Sequence, residues 1–246
     1  MESGNLELVV LTAAAFEQQT LRESLGGLEL TVISQRQVML GQILGKKTAL
    51  VETGIGAVNT AQALTVVIEN LGASCVLQIG IGGAFPSSQL AIGDLAVAAE
   101  EIHGEFGVIE ADGWSDGETI GIPQINGDPP IYNRIPMDDS ACKSAQAAAR
   151  EAALDLGCRV ESGAFLTVQN VTGTDDQAGL LDTRFAPLCE NMEGAAAAQV
   201  CCLYGVPFAE IRGISNIVGA RDLSKWKIPA ASAAAQSAAL AFIRTL

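Results

Sequence analysis

The sequence predicts an α/β fold in which helices flank a largely parallel central sheet. Three observations carry this expectation. Apolar runs of strand length alternate with helical patterns, two of the runs pass directly into glycine turns, and charged residues make up 17% of the chain against 49% hydrophobic. At 246 residues, a chain of that composition can bury a substantial core.

The elements follow in order. "LELVVLTA" (6–13) predicts a first strand, and a helical pattern from about Ala14 to Leu25 stops at Gly26 and Gly27. "KTALVETG" (47–54) predicts a strand. "AVNTAQALTVVIENLG" (57–72) predicts a helix with Gln62, Thr65 and Glu69 on its polar face. "SCVLQIGIGG" (74–83) reads as an apolar strand entering a glycine turn. A helix over 141–156 takes Asp139 or Ser140 as its cap and Gly157 as its stop, with Lys143, Gln146, Arg150 and Glu151 solvated. An alanine helix (194–205), the strand "PFAEIRGIS" (207–215) and a last helix from about Pro229 complete the pattern. The last helix is apolar nearly all round, which predicts packing on two sides. The segment 111–136 is rich in Gly, Pro and Asp but carries Trp114 and Tyr132, and it is expected to form a lid or a contact between subunits.

Bulk properties exclude several functions. A net charge of −14, from 14 basic and 28 acidic residues, argues against a nucleic-acid partner, which needs a basic face to displace counterions. The longest uncharged run, 73–93, is broken by Gly80, Gly82, Gly83 and Pro86, so no membrane span is expected. The start "MESGNLELVV" lacks the basic n-region of a signal peptide. The six cysteines form no C-x-x-C pair, which suits a reduced, cytoplasmic setting.

The glycine turns "GIGAVN" (54–59) and "GIGGAF" (80–85) both lack the third glycine of a dinucleotide fingerprint, with Asn59 and Phe85 in its place. They still set backbone N–H groups at the carboxyl edge of the sheet, where an anion or a polar nucleophile can be held. His103 is the single histidine, so a Ser–His–Asp relay or a multi-histidine metal site has little to build on, and a structural role is the better reading. No Cys/His/Asp cluster has metal-ligand spacing, and no cofactor or metal is expected. Carboxylates and amides remain. Glu17 falls in the first helix as a solvated residue or a site acid. In "CENMEGAAAAQV" (189–200), Glu193 stands at the mouth of an alanine helix, either favoured by the helix dipole or holding a ligand. "RGISNIVGARD" (212–222) ends a strand in Ser215 and Asn216, followed by a polar loop with Arg221 and Asp222.

Taken together, "ENMEGAAAAQVCCLYGVPFAEIRGISN", "TGIG" and "GIGGA", in this order, resemble the nucleoside phosphorylase and nucleosidase superfamily over nearly the whole chain. The resemblance implies a single phosphorylase-like domain over 1–246 with a mixed central sheet. It also implies a nucleoside substrate, water as co-substrate and a homo-oligomer. Within the superfamily, Asn216 (where methylthioadenosine nucleosidases have an aspartate), the continuation "VGARD" and the block "GEFGVIEADGW" resemble the futalosine hydrolases, which release hypoxanthine from futalosine in menaquinone biosynthesis. By that resemblance Met192 and Glu193 contact the ribose, Glu17 positions or deprotonates the water, and Asn170 and Val171 lie near the base. Ile81, Gly82 and Gly83 of the second turn contact the substrate, Asn216 faces the leaving group, and Asp222 supplies a carboxylate or proton to the base. The carboxylate of futalosine's tail would need a cation, for which Arg134, Arg184 and Arg221 are candidates. A purine nucleoside phosphorylase, a methylthioadenosine or adenosylhomocysteine nucleosidase, and a non-catalytic purine-binding protein are the competing readings.

Overall fold

The computed structural model describes residues 6–111 and 113–246. The first five residues, read above for a signal, and Asp112 of the expected lid fall outside them. Chain order is β1 (Leu8–Thr12), α1 (Gln19–Ser24), β2 (Gly26–Ile33), β3 (Arg36–Ile43), β4 (Lys46–Glu52), α2 (Ala57–Leu71), β5 (Val76–Ala84) and β6 (Leu95–His103). It continues through β7 (Gly107–Glu110), β8 (Gly113–Asp116), β9 (Arg134–Pro136), α3 (Asp139–Leu156), β10 (Val160–Thr167) and α4 (Asp175–Phe185). The last elements are β11 (Cys189–Asn191), α5 (Gly194–Tyr204), β12 (Phe208–Ile217) and α6 (Ile228–Thr245).

One sheet runs in the order β11-β10-β6-β12-β5-β1-β4-β3-β2, with β9 paired to β6. The centre is parallel: β12, β5, β1 and β4 lie side by side in one direction. The sheet as a whole is mixed, because β3 and β2 return antiparallel and β12 meets β6 antiparallel. That corrects the largely parallel sheet read from the alternation of elements. The missing strands β2 and β3 are joined to each other and to β4 by two-residue turns. Those turns hold Ser34, Gln35, Leu44 and Gly45 at positive φ, the geometry that matches strand twist in a hairpin. Only Gly45 has the residue type that advertises such a turn.

Both faces of the central strands are covered, so β1 is buried along its whole length and reads as an unbroken apolar run. Leu8 and Val10 pack into the layer built with α3 and α6, and Val9 and Leu11 into the layer with α2 and α5. Alternate residues of a strand point to opposite faces, and each finds a hydrophobic partner. The cap of α3 is Asp138, whose side chain accepts from the Ala141 N–H, rather than Asp139 or Ser140, and Gly157 ends the helix as expected. The α6 helix is buried on several sides, as its all-round apolar pattern predicts.

The segment 111–136 is not a lid in this fold. Its first part forms β8 against β7, and Asn133 pins the rest by donating to the His103 and Phe106 carbonyls and accepting from the Gly117 N–H. Trp114 packs edge-on against Phe185, ring centroids 5.4 Å apart.

The approach of α6 to β12 is set by Gly213. A Cβ there would stand 2.6 Å from the Ala231 carbonyl carbon, so Gly213→Ala must push helix and sheet apart. Overpacking of this kind costs about 1–3 kcal/mol. The variant should show a lower urea midpoint with an unchanged m-value; an unchanged midpoint would mean that α6 shifts freely over the sheet.

Candidate active site

A cavity of about 270 Å³ opens at the carboxyl ends of β1, β5 and β12, where open α/β sheets place their ligands. It gathers eight of the residues expected from the sequence: Glu17, Ile81, Gly82, Gly83, Val171, Met192, Glu193 and Asn216. Arg221 and Trp226 line its rim, with the Arg221 guanidinium carbon 5.5 Å from the Trp226 ring centroid.

Glu17 is on a 3-10 turn, Ala15–Gln18, directly after β1, and is 3% exposed rather than solvated. Its Oε2 accepts from the Ala13 and Ala14 N–H groups at 2.9 and 3.0 Å, and its Oε1 accepts from the Ile81 N–H at 2.9 Å. Burial pushes its pKa up, opposed by the Arg212 guanidinium and by these backbone donors. Close approach is possible because residue 80 is glycine. A Cβ there would sit 2.7 Å from both Glu17 Oε1 and Arg212 Nη1.

Glu193 does not cap α5. The helix mouth is satisfied by Asn191 Oδ1, which accepts from the Glu193 and Gly194 N–H groups, and by Thr167 Oγ1, which accepts from the Ala195 N–H. The Glu193 carboxylate is thereby left to the cavity. Its Oε1 accepts from the Gly56 N–H at 2.9 Å, and its Oε2 pairs with Arg212 Nη2 at 3.2 Å. The "GIGAVN" turn thus holds a protein carboxylate through its backbone.

Arg212, within the strand read over 207–215, is inside β12 and 1% exposed. Its Nε donates to Glu210 at 2.7 Å and its Nη1 to the Ile81 carbonyl at 3.2 Å. Burial alone would favour loss of its proton, but Glu210, Glu193 and Glu17 outweigh it and hold the guanidinium charged. Behind it lie Glu101 and Glu210, both fully buried. Burial and the neighbouring Glu210 drive the Glu101 pKa well above the ordinary range. Glu210 Oε2 accepts no hydrogen bond among the described residues. Thr167 donates to Glu101 Oε2 at 2.7 Å and Asn191 Nδ2 to its Oε1 at 2.8 Å.

A bulge in β12 between Ile214 and Asn216 breaks the alternation of faces, so that Ser215 and Asn216 both reach the cavity. Asn216 Oδ1 accepts from Ser215 Oγ at 2.7 Å, and one Nδ2 hydrogen goes to the Ile217 carbonyl, leaving the other free.

Two expected site residues are elsewhere. Asn170 is exposed and turned outward, its backbone and side-chain N–H groups both donating to Glu105. Asp222 caps the 3-10 turn Leu223–Lys225 by accepting from Ser224, and pairs with Lys225 at 3.3 Å on the surface. Its pKa is lowered by those same partners, which suits neither a proton donor nor a cavity group. Arg134 is bonded to Glu100 and Arg184 lies over Trp114, so of the three candidate cations Arg221 alone lines the cavity. His103 pairs with Gln199 and keeps a lowered pKa through burial, in keeping with a structural role. The sequence reading missed Glu190, Glu210 and Glu101. Glu210 leaves only the signal of an acid in a mostly apolar strand, and Glu101 and Glu190 stand beside other polar residues, Glu100 and Asn191.

Comparison with known proteins gives a consistent result. A family model described as the phosphorylase superfamily matches residues 7–244. The 5'-methylthioadenosine/S-adenosylhomocysteine nucleosidase of Geobacillus kaustophilus is 32% identical over 216 residues, covering 87% of this chain and 86% of that protein. The futalosine hydrolase of Thermus thermophilus is 34% identical over 177 residues, 72% of each chain. Among solved structures, the 5'-methylthioadenosine/S-adenosylhomocysteine nucleosidase of Neisseria meningitidis superposes with a TM-score of 0.84 at 23% identity, covering 98% of this chain and 99% of that one.

The raised pKa of Glu101 makes stability depend on pH with a definite sign. Its folded pKa is raised above the unfolded value, so its contribution is fully present below about pH 4.5 and is lost as pH rises through the folded pKa. Glu101→Gln removes that ionisation. The stability of the variant relative to the parent should therefore improve above pH 4.5, as read from urea midpoints across a pH series. A difference that stays constant with pH would show that the Glu101 pKa is the same in the folded and unfolded states.

Proposed function

The chain belongs to the phosphorylase superfamily, and from that membership we propose that it hydrolyses the N-glycosidic bond of futalosine, releasing hypoxanthine. The observation that carries this reading is a cavity lined by two carboxylates, Glu17 and Glu193, and an amide, Asn216; we read the acids as flanking the sugar and the amide as meeting the base.

In this reading Glu17 accepts a proton from water, the water oxygen bonds to C1′, and the C1′–N9 bond breaks with its electron pair leaving on the base. The sugar becomes positively charged as this happens. Glu193, held by Gly56 and Arg212, takes the ribose hydroxyls and balances the developing charge. Asn216 donates its free N–H to the departing base. Hypoxanthine spreads negative charge onto its 6-oxo group, so a hydrogen bond worth about 1.5–3 kcal/mol assists departure without full protonation. Water is favoured over phosphate because both walls at the attack position carry carboxylates and the arginine between them is already committed to Glu193 and Glu210. A second reading, a methylthioadenosine/adenosylhomocysteine nucleosidase, is supported by the longer coverage of relatives bearing that name. Futalosine differs from methylthioadenosine in ending in a carboxylate, and Arg221, stacked on Trp226 at the cavity rim, is the cation suited to it.

Free base released from futalosine, inosine and methylthioadenosine, with and without phosphate, separates these readings. Hypoxanthine from futalosine, indifferent to phosphate, is the expected result; adenine from methylthioadenosine in its place would install the second reading. Glu17→Gln should lower kcat by roughly 10²–10⁴-fold, as expected for loss of a general base. Because the Glu17 pKa is raised, the acid limb of kcat/KM should lie above the ordinary glutamate range, and an acid limb at or below that range would remove Glu17 as the base. Arg221→Ala should raise KM for futalosine about 10-fold and leave that for inosine unchanged; equal effects on both would exclude a contact to the tail.

A further inference from the structure

We infer that Glu190 is the residue that selects a 6-oxopurine over a 6-aminopurine, accepting the N1–H of the base across a glycine floor from Asn216. This rests on the reading of the cavity as a nucleoside site, and it names the base that site takes.

Three adjacent strands supply the argument. In the register of the sheet, Glu190 on β11 and Asn216 on β12 are both paired with Gly83 on β5, one from each side. The row therefore reads carboxylate, no side chain, amide. Two strand spacings separate its ends, about 9.6 Å at the backbone, enough for a bicyclic base and a hydrogen bond at each edge. A Cβ at position 83 would crowd Val218 and Asn216, at 2.9 and 3.1 Å, so glycine keeps the floor flat and the amide in place. All three residues line the cavity.

Glu190 is buried, and its orientation is fixed from behind by Thr172. The Thr172 N–H donates to Oε1 at 3.2 Å, and the Thr172 hydroxyl donates to Oε2. A group that receives two donors from one side is set as an acceptor on the other. A 6-oxopurine presents N1–H there, whereas a 6-aminopurine presents a lone pair at N1, which a carboxylate repels. Asn216 complements this with its free N–H toward the base's acceptor edge. Such polar sites discriminate strongly because the wrong base leaves a buried group unpaired. Nothing in the sugar chemistry above uses Glu190, and its burial in a wall of the cavity has no packing role that a leucine would not serve better.

Calorimetric binding of free hypoxanthine, 1-methylhypoxanthine and adenine tests the inference without any turnover. The parent protein should bind hypoxanthine at least about 10-fold more tightly than either of the others, the lower end for a hydrogen bond to a charged group. Glu190→Gln keeps one oxygen for the Thr172 N–H, lets the Thr172 hydroxyl turn to accept from the new NH₂, and presents the second N–H to the cavity, so it should weaken hypoxanthine by about 10- to 100-fold and tighten adenine. If Glu190→Gln fails to fold, the 1-methylhypoxanthine comparison on the parent protein decides alone. Equal binding of hypoxanthine and its 1-methyl derivative, or an unchanged preference in Glu190→Gln, would overturn the role of Glu190 while leaving the hydrolase reading intact. Preference of the parent for adenine would overturn both, and a parent that binds none of the three bases would overturn the assignment of the cavity itself.

Discussion

The site depends on one buried guanidinium. Arg212 reaches carboxylates from three separate parts of the chain: Glu17 after β1, Glu193 at the mouth of α5, and Glu210 two residues back on its own strand. None of these acids is solvated, and burying any of them without a countercharge would be prohibitive. Removing one partner of such a pair typically costs about 3–5 kcal/mol, because the other is left charged and dry. The arginine therefore fixes more than local charge. It requires the turn after β1, the "GIGGA" strand end and the alanine helix to converge within reach of one another, and that convergence is the cavity.

Helix α5 shows how the structure divides labour that sequence reading had to leave joined. An acid at the first position of a helix is favoured by the dipole, so position alone cannot distinguish a capping glutamate from a ligand-binding one. The decision is made by residues far from the motif. Thr167 on β10 and Asn191 on β11 satisfy the helix N–H groups, and Gly56, distant in sequence, takes the freed carboxylate. The same acid network holds Thr167 and Asn191 in place through Glu101. The cap and the site acid are thus two ends of one hydrogen-bonded chain.

What could be read in the sequence follows from how local each signal is. The strands β1 and β5 are almost wholly buried and β4 and β12 have buried centres, and helices such as α2 and α3 end at glycines, so both announce themselves within a few residues. The hairpins β2–β3 and β3–β4 do not, because Ser34, Gln35 and Leu44 adopt positive φ without the asparagine or glycine that marks such turns. Eight of the expected residues line one cavity: the turn at 80–85 and the strand end at 215–216 mark the sheet's carboxyl edge, whereas Glu17, Val171, Met192 and Glu193 were expected there by the family resemblance. Asn170 and Asp222 were misplaced by one-sided evidence: each is near the site in sequence, but each finds a better partner at the surface, Glu105 for one and Ser224 with Lys225 for the other. Glu190, Glu101 and Glu210 were invisible for the opposite reason. Their meaning lies in cross-strand register, which no run of residues reveals.

The balance of charge around the cavity explains why so many acids are tolerated there. Glu17, Glu193 and Glu210 surround a single buried arginine and Glu190 adds a further acid to the cavity wall, an excess of negative charge that would raise the energy of any anionic ligand. A transition state with positive charge on the sugar has the opposite preference, and in a site screened from water that preference is expressed at close to full strength. A phosphate nucleophile would have to approach against the same field, whereas neutral water does not. Burial and the neighbouring Glu210 raise the Glu101 pKa well above the ordinary range, which limits the excess by favouring its neutral form. The network thus keeps enough negative charge at the front to favour a cationic sugar and neutralises the remainder at the back, where it would only destabilise the fold.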